Sequence, residues 1–237
     1  MAKSKIKESP KTGEELLENP EALAEQISKT EEFIEKNKMM VFIVGGAIAA
    51  VIAAYFFYNY WSTNQNEVAQ NEMFQAVYYF EADSLDKALE GDGNNYGFLE
   101  IIDEYSMTDA ANLAHFYAGA SYLKKGEYIS AIDHLNEFSS GDLLIQARAY
   151  ALIGDANMEM GNFEEATTYY MKAAEYKSNE FTTPGYLMKA ASAYEEMEDL
   201  NSALQCYERI VEKYVNASEF QNARKHKARL EGLTKAG

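Results

Sequence analysis

Polar and apolar residues divide the chain into a charged head, one uninterrupted apolar run and a long amphipathic tail. From Met39 to Trp61 the sequence MMVFIVGGAIAAVIAAYFFYNYW carries no charge, and its nearest charged neighbours are Lys38 and Glu67. As a helix rising about 1.5 Å per residue, the run is roughly 35 Å long, enough for a hydrocarbon core of about 30 Å. Backbone amides in lipid find no water, so a single helix that satisfies them internally is the natural form. Ahead of it, Asn19-Pro20 reads as a helix start, with Asn19 as the cap and Pro20 in the first turn. Leu23, Ile27 and Ile34 then fall near helical spacing, with glutamates on the other face. The pattern predicts an amphipathic helix leading from Pro20 straight into the apolar run. The expected organisation is a head over 1–38, a transmembrane helix over 39–61 and a folded domain over 62–237.

In the tail the pattern repeats. HFYAGASYLKKGEYISAIDHL, YALIGDANMEMGNFEEATTYYMKA and LMKAASAYEEMEDLNSALQCYERI align without forcing. Small residues recur at Gly119, Gly154 and Ala191, where two helices of a unit must cross closely, and again at Ala131, Ala166 and Ala203. Gly126 and Gly161 follow the first helix of their units, where a left-handed residue is needed to turn the chain. The third unit has Glu198 at that place, which predicts a looser turn. Thr183-Pro184 is expected to cap the third unit's first helix. Ala131 to Ala166 is 35 positions (166 − 131) and Ala166 to Ala203 is 37 (203 − 166). That spacing is similar to the tetratricopeptide period of about 34. The fold class expected is all-α: one transmembrane helix, then a tetratricopeptide-like α-solenoid of helical hairpins. Residues 67–108 read as a degenerate further unit, with GDGNNYG as its turn and FLEIIDEY as its second helix. A helix at about 217–231 closes the stack.

Charge fixes the expected topology. Lys29, Lys36 and Lys38 precede the apolar run, whereas the first basic residue after it is Lys87. Basic residues stay on the cytoplasmic side, so the head is expected in the cytoplasm and the tail exported. The head is longer than a signal peptide's basic region and the apolar run exceeds its core, which favours an uncleaved anchor. Gly46, Ala50 and Ala54 line one edge of that anchor, a spacing that lets another helix approach, although small residues are also simply common in such helices. The net charge of −17 excludes nucleic acid, whose phosphates need basic surface. The single cysteine, Cys206, builds neither a disulfide nor a metal site by itself.

No catalytic, metal or cofactor constellation stands out. His115, His134 and His226 lack metal-ligand spacing to a carboxylate, and no glycine loop followed by lysine is present. Asp92, Asn94 and Gly97 resemble a calcium loop only in part, and a glycine-rich turn is the better reading. Arg224, Lys225, Lys227 and Arg229 form a basic patch, readable as favourable charge near a helix end or as a docking site. The binding surface expected is a groove lined by the first helix of each unit. By register it takes Phe116, Ala120 and Leu123, then Arg148, Asp155 and Met158, then Met188, Ser192 and Glu195. Apolar residues beside scattered charge suit an extended or helical peptide.

The aromatic-ended anchor, NYGFLEIIDEYSMTDAANLAHFYAG and the GD…GNFEEA of the second unit carry a more specific likeness. Over about residues 36–215 the chain resembles the YfgM-type ancillary proteins of the bacterial Sec translocon. The resemblance implies a non-enzymatic protein of the bacterial inner membrane, its N-terminus cytoplasmic and its C-terminal domain periplasmic. The partners it implies are the Sec translocon channel, a membrane-anchored periplasmic chaperone of the prolyl-isomerase type, and unfolded exported polypeptides. The closing stretch KYVNASEFQNARKHKARL is also similar to the last helices of outer-membrane assembly factors. That keeps open an alternative role in outer-membrane or cell-envelope protein assembly.

Overall fold

A left-handed residue between two helices, repeated along the tail, sets the architecture. The computed structural model describes residues 20–236, so the Asn19 cap and the polar first dozen residues lie outside the described residues. The described chain is helical, without strands: α1 (Pro20–Lys36), α2 (Lys38–Glu81), α3 (Leu85–Glu90), α4 (Phe98–Glu104), α5 (Asp109–Lys125), α6 (Tyr128–Glu137), α7 (Ile145–Glu159), α8 (Phe163–Glu175), α9 (Thr183–Glu196), α10 (Leu200–Lys213) and α11 (Phe220–Ala236). Contacts divide it into two compact units, 1–60 and 61–237.

In the first unit, α1 reaches Lys36 and Asn37 carries the ladder onward. Its amide donates to the Phe33 carbonyl at 2.9 Å, and its own carbonyl accepts from Val41 at 3.0 Å. Every side chain from Lys38 to Tyr60 is exposed. The helix they begin, α2, is long and apolar enough to cross a membrane, and none of its most apolar 18-residue window is buried. An added Cβ at Gly45 or Gly46 would meet nothing within 4 Å, so the small-residue edge is open.

In the second unit, four turns share one hydrogen-bond pattern. At Gly126 the amide donates to Leu123 and that of Glu127 to Tyr122; at Gly161 the acceptors are Met158 and, for Asn162, Asn157. Glu198 and Asp199 make the same two bonds to Glu195 and Tyr194, and Asp83 and Ser84 make them to Phe80 and Tyr79. All four turn residues are left-handed, with φ of 80° at Gly126, 75° at Gly161, 59° at Glu198 and 57° at Asp83. The third unit's turn is therefore not looser: Glu198 adopts the glycine geometry and bears its strain. The first hairpin turns at Asp83, between the end of α2 and α3, not at GDGNNYG as the sequence suggested. Ala76 and Ala88 stand at the same offsets from Asp83 as Gly119 and Ala131 do from Gly126, and both are fully buried. α4, the FLEIIDEY helix, is an insertion that packs against α3 and α5.

The glycine-rich loop before α4 is a turn built on Asp92. Its carboxylate accepts from the Asn94 and Asn95 amides at 2.9 and 2.8 Å and from the Tyr79 hydroxyl at 2.6 Å. The Tyr79 hydroxyl and then these amides hold its carboxyl well below the usual range.

Each later hairpin closes through its small residues. A Cβ on Gly119 would lie 2.6 Å from Leu135 Cγ, and one on Gly154 would lie 2.6 Å from the Tyr170 ring. Neighbouring hairpins then stack, α7 on α6 and α9 on α8, and α11 closes on α10. Thr183 opens α9 without capping it: its buried hydroxyl donates to the Ala174 carbonyl at 3.2 Å, tying the helix to the preceding hairpin. The Cys206 thiol is buried against Met171, and burial pushes its pKa up to about 11.

Two kinds of glycine should respond differently to alanine. Nothing lies within 4 Å of a Cβ on Gly161, so Gly161→Ala should cost only the backbone strain, about 1 kcal/mol. Gly154→Ala must push a buried aromatic ring and should cost about 2–3 kcal/mol. Glu198→Gly should gain about 0.5–1 kcal/mol. Denaturant unfolding of the full chain, followed by circular dichroism, measures all three.

Candidate functional site

The second, third and fourth hairpins leave an open cleft of about 550 Å³ between α5, α7 and α9. Leu123, Met158 and Tyr128 supply its apolar wall, while Asp155, Glu159, Lys189 and Ser192 supply polar groups. Asp155 organises the floor. Its Oδ1 accepts from the Tyr170 hydroxyl at 2.6 Å and pairs with Lys189 Nζ, also at 2.6 Å. The Lys189 ammonium stands 5.5 Å from the Tyr170 ring centroid. Burial, then the bond to Asp155, raises the Tyr170 pKa, so the hydroxyl stays protonated and keeps donating. The Tyr128 hydroxyl reaches Glu159 at 3.5 Å. The arrangement has no nucleophile paired with a base. It offers apolar contact beside one fixed ion pair, which suits a peptide.

Comparison with known proteins places the third and fourth hairpins. Residues 147–180 and residues 186–217 each match a tetratricopeptide repeat family. The chain carries tetratricopeptide repeats. It is also 28% identical over 115 residues to a TPR repeat-containing protein of Methanocaldococcus jannaschii, a stretch that is 48% of this chain and 20% of that protein. The chain thus spans about a fifth of the length of that relative. Tetratricopeptide proteins are generally non-enzymatic scaffolds that bind protein partners.

Four of the residues expected to face the groove do line the cleft: Leu123, Asp155, Met158 and Ser192. Phe116 and Ala120 do not. They are only 7% and 8% exposed, and Phe116 packs 5.3 Å from Phe138 in the core shared with Ala149 and Ile153. The next hairpin stacks over that end of α5 and closes it. Met188 is half-buried against the core of the last hairpin, and Arg148 is exposed outside the cleft lining. Tyr128, Glu159, Tyr170 and Lys189 were missed. Lys189 is three residues before Ser192 and so on its helix face, a spacing that could have revealed it.

Glu195 is engaged by the closing helix. Its carboxylate accepts from the Tyr207 hydroxyl at 2.8 Å and from the Arg229 guanidinium, with His226 Nδ1 at 4.0 Å. Lys227 pairs with Glu208 and Glu231. Two of the four residues of the basic patch, Lys227 and Arg229, are thus spent within the domain. The junctions between hairpins hold a feature the sequence reading passed over. Met107, Leu144, Phe181 and Val215 each sit just before a hairpin's first helix or the closing helix, and all are exposed, Phe181 by 90%.

Burial opposes ionisation of Glu195, but the bonds from Arg229 and Tyr207 outweigh it and hold the carboxyl below its usual range. A carboxyl depressed by folding stabilises above its unfolded pKa of about 4.3 and loses that contribution as pH falls through the folded value. Glu195→Gln should therefore cost about 1 kcal/mol at pH 7, limited by the partial exposure of Arg229. The difference from the parent should shrink as pH falls below about 4.3 and vanish only below the depressed folded pKa. Unfolding curves of both chains across pH 3–8 test this.

Proposed function

We propose that this protein is a membrane-anchored tetratricopeptide scaffold that holds segments of other polypeptides and does no chemistry of its own. The observation that carries the reading is the cleft around Asp155 and Lys189, a trough where apolar side chains alternate with polar groups and an ion pair, in a chain whose α2 is apolar enough to enter a bilayer. On this reading α2 lies in the lipid bilayer of a bacterial inner membrane. Lysines before it and none until Lys87 after it put residues 1–38 in the cytoplasm and 62–237 in the periplasm. The resemblance to YfgM-type proteins supports as partners the Sec translocon channel, a membrane-anchored prolyl-isomerase-type chaperone and unfolded exported polypeptides. The open Gly46, Ala50 and Ala54 edge is the surface offered to a neighbouring membrane helix.

Photocrosslinking in intact cells tests both surfaces. A photoreactive residue at Met158 should capture exported polypeptides or the chaperone, and one at Ala50 should capture a membrane component of the export machinery. Lys189→Glu, which sets a second carboxylate beside Asp155, should lower capture from Met158 about fivefold, near 1 kcal/mol. Crosslinks confined to envelope-assembly factors would replace this reading with the assembly role. Digestion of the C-terminal domain by a protease confined to the cytoplasmic side would overturn the topology.

A further inference from the structure

Outside the cleft, the hairpin of α5 and α6 brings two imidazoles together edge to edge. His115 Nδ1 lies 3.1 Å from His134 Nδ1, with ring centroids 5.2 Å apart and planes tilted by 43°. One ring must donate and the other accept, so a single proton sits between two nitrogens. Tyr122 stacks on His134 at 5.4 Å and 17°, which fixes that ring's plane. The pair opens into a surface pocket of about 280 Å³ that Asp133, Asn136 and Glu137 also line. Glu137 is three residues beyond His134 on α6 and shares its face.

Two imidazole nitrogens held this close have the spacing of two ligands of one metal ion, with a proton now between them. Nitrogen ligands sit about 2.0–2.1 Å from zinc, hence about 3.3 Å from each other in a tetrahedral site. The two Nδ1 atoms, 3.1 Å apart, are within a few tenths of an ångström of that separation. We propose that His115 and His134, completed by the Glu137 carboxylate and water, bind a divalent transition-metal ion of the zinc class, joining α5 to α6. Burial depresses both imidazole pKa values, and Glu137 opposes this. The rings are therefore neutral at pH 7, the form that ligates. No three potential ligands are already grouped for a metal among the described residues. The two nitrogens are the preformed part, and Glu137 swings in on binding. Such a site is exchangeable rather than structural, because two fixed ligands leave half the coordination sphere to a mobile carboxylate and water.

Zinc titration of the untagged full chain in detergent, followed by calorimetry, tests the site. One ion should bind with a Kd on the order of 10 µM. His115→Phe and His134→Phe keep an aromatic ring in place, and each should weaken binding by about tenfold or more. Glu137→Gln should weaken it several-fold, and His226→Phe should leave it unchanged. Imidazole nitrogen shifts in the parent should place the ion on Nδ1 of both rings. Unchanged binding in the two phenylalanine variants would put the ion on the acidic surface and overturn the proposal. So would the absence of binding below about 1 mM zinc in the parent. An unchanged isotherm for Glu137→Gln would remove the carboxylate from the site.

Discussion

Close approach of two helices at a residue with almost no side chain is the constraint on which the tail domain rests. At Gly119 and Gly154 even a methyl group would overlap the facing Leu135 or Tyr170. Bulky residues on the second helix can then pack across the backbone of the first. Burial of those residues is what each hairpin gains, and a hairpin alone buries only one face. Stacking supplies the other face, so stability is shared between neighbours rather than held in one central core. The buried residues accordingly fall into three clusters along the stack.

The same crossing shapes the cleft. Tyr170 covers Gly154 with its ring and sends its hydroxyl beyond the helix to Asp155. Tyr207 repeats the arrangement sixteen positions after Ala191, but its hydroxyl meets Glu195, which the closing helix also engages through Arg229. One residue type at one repeat position thus gives an open acidic floor in the middle of the stack and a sealed junction at its end. The difference comes from what stacks next, α9 with its Lys189 in one case and α11 in the other.

Much of this fold was legible because the signals were local and periodic. The turn glycines, the small crossing residues and the apolar run each occupy fixed offsets. The first hairpin was misread because its turn holds no glycine, whereas GDGNNYG advertises one. The informative marks were Ala76 and Ala88, seven before and five after the turn residue, as in every other hairpin. The groove was only half legible. Register assigns a face to each helix but does not say how far the next hairpin covers it, so Phe116 and Ala120 were placed in the open. Tyr128 and Glu159 come from a turn and a helix end, where register says little. The His115–His134 contact was invisible because it depends on the rotation of α6 against α5, which no spacing along one helix encodes.

Cys206 is the one thiol in the chain, and it is packed away with its proton held tightly. Thiolate is the species that attacks disulfides, and almost none of it exists here at physiological pH. The domain has no cross-link to form, lose or rearrange, so its folding is indifferent to the redox state of its surroundings. A hairpin stack of this kind assembles identically in oxidising and reducing compartments, and oxidoreductases that survey neighbouring proteins would find nothing on it to exchange with.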